Sequence, residues 1–178
     1  MLGENKRDGM QMGVLIMQLL LPKRSYNTIF DIPLLELYAS GIRGIIFDLD
    51  NTLTEWNNPE LSRKTTSWLE SAAKIGFKMC FVSNNSDLRV REVADLVDIP
   101  FVARAGKPRR RSFRRAMELM GTKPEATAVV GDQILTDILG GNRLGLFTIL
   151  VSPISKHEFV GTRLVRVIEK QILKRNGR

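Results

Sequence analysis

Cysteine, histidine and long apolar runs are nearly missing from this chain of 178 residues, and each shortage closes off a class of chemistry. A single cysteine, Cys80 in the run FKMCFV, can close no intramolecular disulfide and build no thiolate zinc site, which fits a reducing compartment and a small buried hydrophobe. The one histidine, His157 in SKHEF, reads as a solvated loop or helix-start residue rather than a catalytic one. The apolar stretch at residues 14–21 is interrupted by Gln18 and falls short of the roughly 20 residues a membrane-spanning helix needs. Lys6 and Arg7 precede it as in a secretory signal, but no small-residue cleavage site follows. Two readings of it stay open: a short helix lying in a membrane interface with Lys23 and Arg24 near the headgroups, or a segment packed on the domain. Aromatic residues number only twelve, and beyond Phe113 none is interleaved with the main basic run, so no base-stacking platform for single-stranded nucleic acid is evident. There is no internal repeat and no low-complexity linker.

Acid is scarce relative to base. Twenty-seven Lys and Arg against nineteen Asp and Glu give a net charge of +8 and a pI near 10, which favours nucleic acid, phospholipid headgroups or phosphorylated substrates as partners. The charge is local: residues 104–115 hold seven basic side chains and no acid, and residues 163–178 hold six against Glu169. The hydrophobic fraction of 43% is ordinary for a globular chain, and the length suits a single core.

From residue 41 onward, apolar, β-branched-rich runs at 43–48, 77–82, 99–102, 127–131 and 146–151 read as strands buried on both faces. Between and after them, residues 60–75, 87–97, 109–120, 134–143 and 159–174 carry helical spacing, with Gly76, Gly121 and Gly145 where C-terminal caps belong. Strict alternation implies an α/β fold, a doubly wound, mainly parallel sheet of five strands or slightly more with helices on both faces, Rossmann-like.

Such sheets bind ligands beyond the carboxyl ends of their strands, and polar groups converge there. Asp48 and Asp50 follow the first run, Ser83, Asn84 and Asn85 the second, and Gly131, Asp132 and Gln133 the fourth, while the loop RAGKPR adds Lys107. Carboxylates, a hydroxyl and an ammonium at one rim suit a magnesium-assisted reaction on a phosphate. Asp48, fixed by the end of its strand, is the better nucleophile; Asp50, two residues on, can donate a proton to the leaving oxygen and then activate water. Magnesium would screen Asp48 from Asp132. Ser83 and the amides around Asn84 can bind phosphate oxygens at a helix N-terminus, and Lys107 supplies fixed positive charge. Taken singly, Asp50-Asn51-Thr52 could be no more than a turn, Asp132 and Ser83 helix caps, and Trp56 a packing residue rather than a gate.

DLDNT, the serine of VSNN, the lysine of GKP and GDQILTD resemble, in order and spacing, the four motifs of haloacid dehalogenase-like (HAD) phosphatases over residues 41–151. LLLP upstream and the GDQ-to-TD spacing are similar to the bacterial YqeG group, related to phosphatidylglycerophosphate phosphatases. The resemblance implies Asp48 as nucleophile, Asp50 as acid/base, Ser83 and Lys107 as phosphate ligands, and a magnesium ion held by Asp48, Asp132 and the backbone carbonyl of Asp50. Thr52 and Asp137 are expected to support these groups from behind.

Only 32 residues lie between Asp50 and Ser83 and 23 between Ser83 and Lys107, each interval filled by one helix and one strand, so there is no cap domain. An open site suits a phosphate carried on something large. Arg109, Arg110, Arg111, Arg114 and Arg115 follow Lys107 directly, at the expected mouth of the site, where each could add about 1 kcal/mol of attraction to an anionic membrane. The expectation is a segment over residues 1–24 that can contact membrane, then one uncapped phosphatase domain over 25–178, peripheral on the cytoplasmic face and acting on an anionic phospholipid. The alternatives are a phosphatase of a nucleotide, sugar phosphate or nucleic-acid end, and a nucleic-acid or ribosome-binding protein with a vestigial site.

Overall fold

The structure is a computed structural model that describes residues 17–56 and 58–155. Six parallel strands form its sheet: β1 (Arg24–Tyr26), β2 (Gly44–Phe47), β3 (Lys78–Val82), β4 (Phe101–Val102), β5 (Thr127–Gly131) and β6 (Phe147–Val151), in the order β1-β6-β5-β2-β3-β4. The helices are α1 (Leu34–Ala39), α2 (Arg63–Ile75), α3 (Asp87–Ala94), α4 (Arg110–Met120) and α5 (Leu139–Asn142). The helix expected over 159–174, His157 and residues 1–16 lie outside the described residues.

Side chains divide by strand alternation. Ile45, Phe47, Met79, Phe81, Ala128 and Val130 join one buried cluster with Leu69 and Ala72 of α2 and Val90 and Val93 of α3, whereas Ile46, Cys80, Val82 and Val129 meet Phe113, Ala116, Met117 and Met120 of α4 on the other face. Both faces are therefore covered, as the continuous apolar runs require. Cys80 is fully buried, and burial pushes its thiol up to about 12, so it packs and does not react. Ser62 caps α2 by accepting the Thr65 amide at 3.0 Å, and Gly76 ends that helix in the left-handed region at φ 108°.

Three features depart from the sequence reading. β1 is a three-residue, largely exposed edge strand, and α1 spans six residues; neither is long enough to show a periodicity. The regular helix expected over 134–143 begins instead as a π-helical turn, Ile134–Ile138, before α5. That turn carries Asp137 inward, to 1% exposure. At the N-terminal end, residues 17–20 are helical, and Asn142 donates to the carbonyls of Leu19 and Leu21, both at 2.9 Å, tying this end of the apolar stretch to α5. Among the described residues no helix is long and apolar enough to cross a membrane.

Candidate active site

The strand order reverses between β2 and β5: from β2 the chain winds outward through β3 and β4, then crosses to β5 and β6 on the other side. A crevice opens at the carboxyl ends of strands at such a switch point. Asp48 directly follows β2 there, its amide donating to Val130 of β5 at 2.9 Å, and Asp132 directly follows β5. Leu49 and Leu53 are buried, their backbones joined at 2.9 Å, so the chain turns tightly past Asp50; Asn51 takes the left-handed conformation at φ 64°.

Asp48, Asp50, Ser83, Asn84 and Lys107 line one cavity of about 380 Å³, together with Asn51, Trp56, Asn85, Gln133 and Thr136. Lys107 is the hub. Its ammonium, only 3% exposed, donates to Asp48 Oδ1 at 2.5 Å and to Asp137 Oδ1 at 2.7 Å. Its backbone amide donates to the side-chain carbonyl of Asn84 at 2.7 Å, which fixes the loop before α4 against the end of β3. Burial works against the ammonium, but the carboxylates of Asp137 and Asp48 outweigh it and hold Lys107 charged, above the ordinary lysine range. Asp48 moves the other way: burial raises its pKa to about 7, with Asp137 and Asp50 pushing in the same direction and Lys107 opposing.

Asp48, Asp132 and Asp137 each bring a carboxylate oxygen within 4.8 Å of the others, all buried. Three buried carboxylates gather there around the Lys107 ammonium. A hard divalent cation with oxygen ligands matches that donor set. Gly131 makes room for this arrangement: a Cβ on it would lie 2.3 Å from Asp137 Cγ. Asp137 Oδ2 also accepts the Gln133 amide at 3.2 Å. The carboxylate of Asp50 stands outside this metal-sized group and is held instead by Arg89 at 3.1 Å and Asn85 at 3.2 Å.

Ser83 is buried, its hydroxyl accepting the Asn85 amide at 3.1 Å. Thr52 does not line the cavity; it borders a second one of about 440 Å³, with Leu53, Thr54, Ile29 and Ile154 on the far side of the same loop. Trp56, 44% exposed, stands at the wall of the site cavity. Arg109 is the N-cap residue of α4, and Arg110, Arg111, Arg114 and Arg115 follow on its first turns, all exposed. Arg89 is absent from the sequence reading, and Asn85 enters it only as one of the polar residues after the second apolar run. The available signal was register: Arg89 lies four residues before Val93 on the buried stripe of α3, and a charge on an apolar stripe needs a partner.

Comparison with known proteins agrees with this geometry. Residues 104–153 match the family model described as HAD-hydrolase-like. NagD from E. coli, with TM-score 0.54 and 15% identity over 65% of this chain and 90% of that one, shares the fold. So does the deoxy-D-mannose-octulosonate 8-phosphate phosphatase of Haemophilus influenzae, with TM-score 0.51 and 18% identity over 78% and 91%. The fold is thus that of the HAD-like hydrolases. Probable phosphatase YqeG of Bacillus subtilis is 42% identical over 160 residues, covering 88% of this chain and 93% of its own length, and the chain belongs to that YqeG family of HAD-like phosphatases. Phosphatidylglycerophosphate phosphatase 1 of Arabidopsis thaliana is 28% identical over 89% of this chain, and its namesake from Chlamydomonas reinhardtii is 31% identical over 75%. This chain spans about half the length of those two proteins, 48% and 54%.

Proposed function

We propose that this phosphatase is magnesium-dependent, works through an aspartyl-phosphate on Asp48, and removes the terminal phosphate of phosphatidylglycerophosphate at the cytoplasmic surface of a membrane. The observation that carries the chemistry is the bridging of Asp48 and Asp137 by Lys107 beside Asp132, at the switch point of an uncapped sheet.

Asp48 attacks phosphorus as the ester P–O bond breaks, and Asp50 gives its proton to the departing oxygen. Water then attacks the phosphoryl group, Asp50 takes its proton, and the Asp48 oxygen leaves. Lys107 uses two of its three N–H groups on carboxylates, which leaves the third for a phosphate oxygen beside Ser83 and the Asn84 amide. Asp48 and Asp132, the main-chain carbonyl of Asp50 and, behind them, Asp137 would hold the magnesium, which when bound supplies the charge compensation that lets a phosphate dianion approach a carboxylate.

Substrate class is supported by what surrounds the cavity. Among the described residues, the short intervals between motifs insert no domain over it, which suits a headgroup presented by a membrane. The row from Arg109 to Arg115 opposes the α4 dipole and sets like charges three and four residues apart at Arg110/Arg114, Arg111/Arg114 and Arg111/Arg115, each pair costing a few tenths of a kcal/mol. An anionic surface offsets that cost, and the names of the two plant and algal relatives point to the same lipid.

The test is magnesium-dependent phosphate release from phosphatidylglycerophosphate in mixed micelles, beside a panel of phosphorylated nucleotides and sugars and an Asp48→Asn control. Lipid turnover lost in the control supports the proposal. Turnover of the small esters alone would discard the lipid and keep the chemistry.

A further inference from the structure

Asp50 is held at both carboxylate oxygens by one short stretch of chain. Arg89 Nη2 donates to Oδ1 at 3.1 Å, and Asn85 Nδ2 donates to Oδ2 at 3.2 Å. Neither donor can wander. The Asn85 side-chain carbonyl accepts the Ser86 amide at 2.7 Å and its backbone amide donates to Ser83 at 3.1 Å, which fixes which way the amide points. Arg89 lies on α3, is 7% exposed, and Nη2 also donates to the Asn58 carbonyl at 2.5 Å.

As a structural tie this arginine is costly. Its Nε and Nη1 atoms are buried with no hydrogen-bond partner among the described residues. An apolar side chain of similar size would avoid that desolvation, so stability alone does not explain the residue. What Arg89 does accomplish is geometric: it removes the rotamer freedom of the aspartate that must address one leaving oxygen, and it anchors the 55–60 loop, which carries Trp56 at the cavity wall, to that same aspartate.

We propose that Arg89, with Asn85, is a positioning residue that aims the Asp50 carboxyl at the leaving-group oxygen, and that this is what lets the site cleave esters of poor leaving groups such as alkyl alcohols. The inference rests on the phosphatase reading with Asp50 as acid. In the step concerned, the Asp48 oxygen bonds to phosphorus, the P–O ester bond breaks with its electron pair passing to oxygen, and that oxygen takes the Asp50 proton. A nitrophenolate leaving group needs no such proton.

The experiment compares kcat/KM, which reports the steps through aspartyl-phosphate formation, for an alkyl phosphate and for dinitrophenyl phosphate in wild type, Arg89→Met, Arg89→Lys and Asp50→Asn. The ratio of the two values is independent of how much of a variant is folded. Arg89→Met should lose about 100-fold on the alkyl ester and less than about 10-fold on the aryl ester, shifting the ratio in the direction Asp50→Asn shifts it, with Arg89→Lys recovering part. Equal losses on both esters would reduce Arg89 to a structural residue and overturn the proposal. A wild type inert toward both esters would instead overturn the phosphatase reading beneath it.

Discussion

Lys107 and Asp48 form a buried ion pair at 2.5 Å across 59 residues of sequence, the second anchor of the same ammonium being Asp137. Removing the cation strands carboxylates that are almost wholly buried, at 8% and 2% exposure. Lys107→Met should therefore destabilise the metal-free protein by about 3 kcal/mol or more at pH 8, as breaking one side of a buried pair does. The loss should shrink at pH 5, where protonation relieves the stranded charge. Urea unfolding at the two pH values checks this, and equal stability of variant and wild type at pH 8 would contradict it.

Metal binding should release a proton. With no metal present, Asp48 keeps its proton to about pH 7, whereas an unfolded aspartate gives it up near 3.8. Folded stability without metal should thus fall as pH rises from about 4 through about 7, because over that window the unfolded chain sheds a proton the folded one retains. Magnesium binds the ionised form, so its affinity should climb up to about tenfold per pH unit below 7 and level off above. Titration calorimetry in buffers of different ionisation enthalpy measures the proton count; a count of zero at pH 6 would be inconsistent with a protonated Asp48.

Gly131→Ala should act through Asp137. The added methyl would sit 2.3 Å from Asp137 Cγ, and neither the strand nor the π-helical turn can yield without moving that carboxylate away from Lys107. Overpacking of this kind costs about 1–3 kcal/mol. Magnesium affinity should fall at least about tenfold, as it does when groups that orient ligands are lost. Unchanged metal affinity would separate Asp137 from the metal site.

Much of this site is legible in the sequence because buried parallel strands are continuous apolar runs, and the first polar residues after them mark the active edge. Asp48, Ser83 and Asp132 all emerge that way, and Lys107 emerges from motif order. β1 does not, since three polar residues on a sheet edge carry no pattern. The π-helical turn that buries Asp137 is invisible to a helical periodicity, which tolerates one extra residue. Arg89 is hidden for a different reason: its value is a contact with a residue 39 positions away, and local spacing reports only that a charge sits on an apolar face.

The arginine row on α4 should bind anions and contribute nothing to folding stability. Replacing Arg110, Arg111, Arg114 and Arg115 by Gln should raise stability by up to about 1 kcal/mol, since all four are exposed, their like-charge pairs are relieved, and only Arg115 has an ion pair, with Glu118 at 3.1 Å, among the described residues. Co-sedimentation with anionic liposomes should weaken about 100-fold or more at low salt, from about 1 kcal/mol per residue. Binding that survives the four changes would move the membrane contact elsewhere on the chain.

The aspartyl-phosphate proposed on Asp48 can be trapped directly. Asp50→Asn protein mixed with an activated aryl phosphate and magnesium, quenched in acid and digested, should yield the peptide containing Asp48 with one added phosphoryl group, removable by hydroxylamine. Release of phosphate without any phosphoryl adduct on that peptide, or continued turnover by Asp48→Asn, would contradict it.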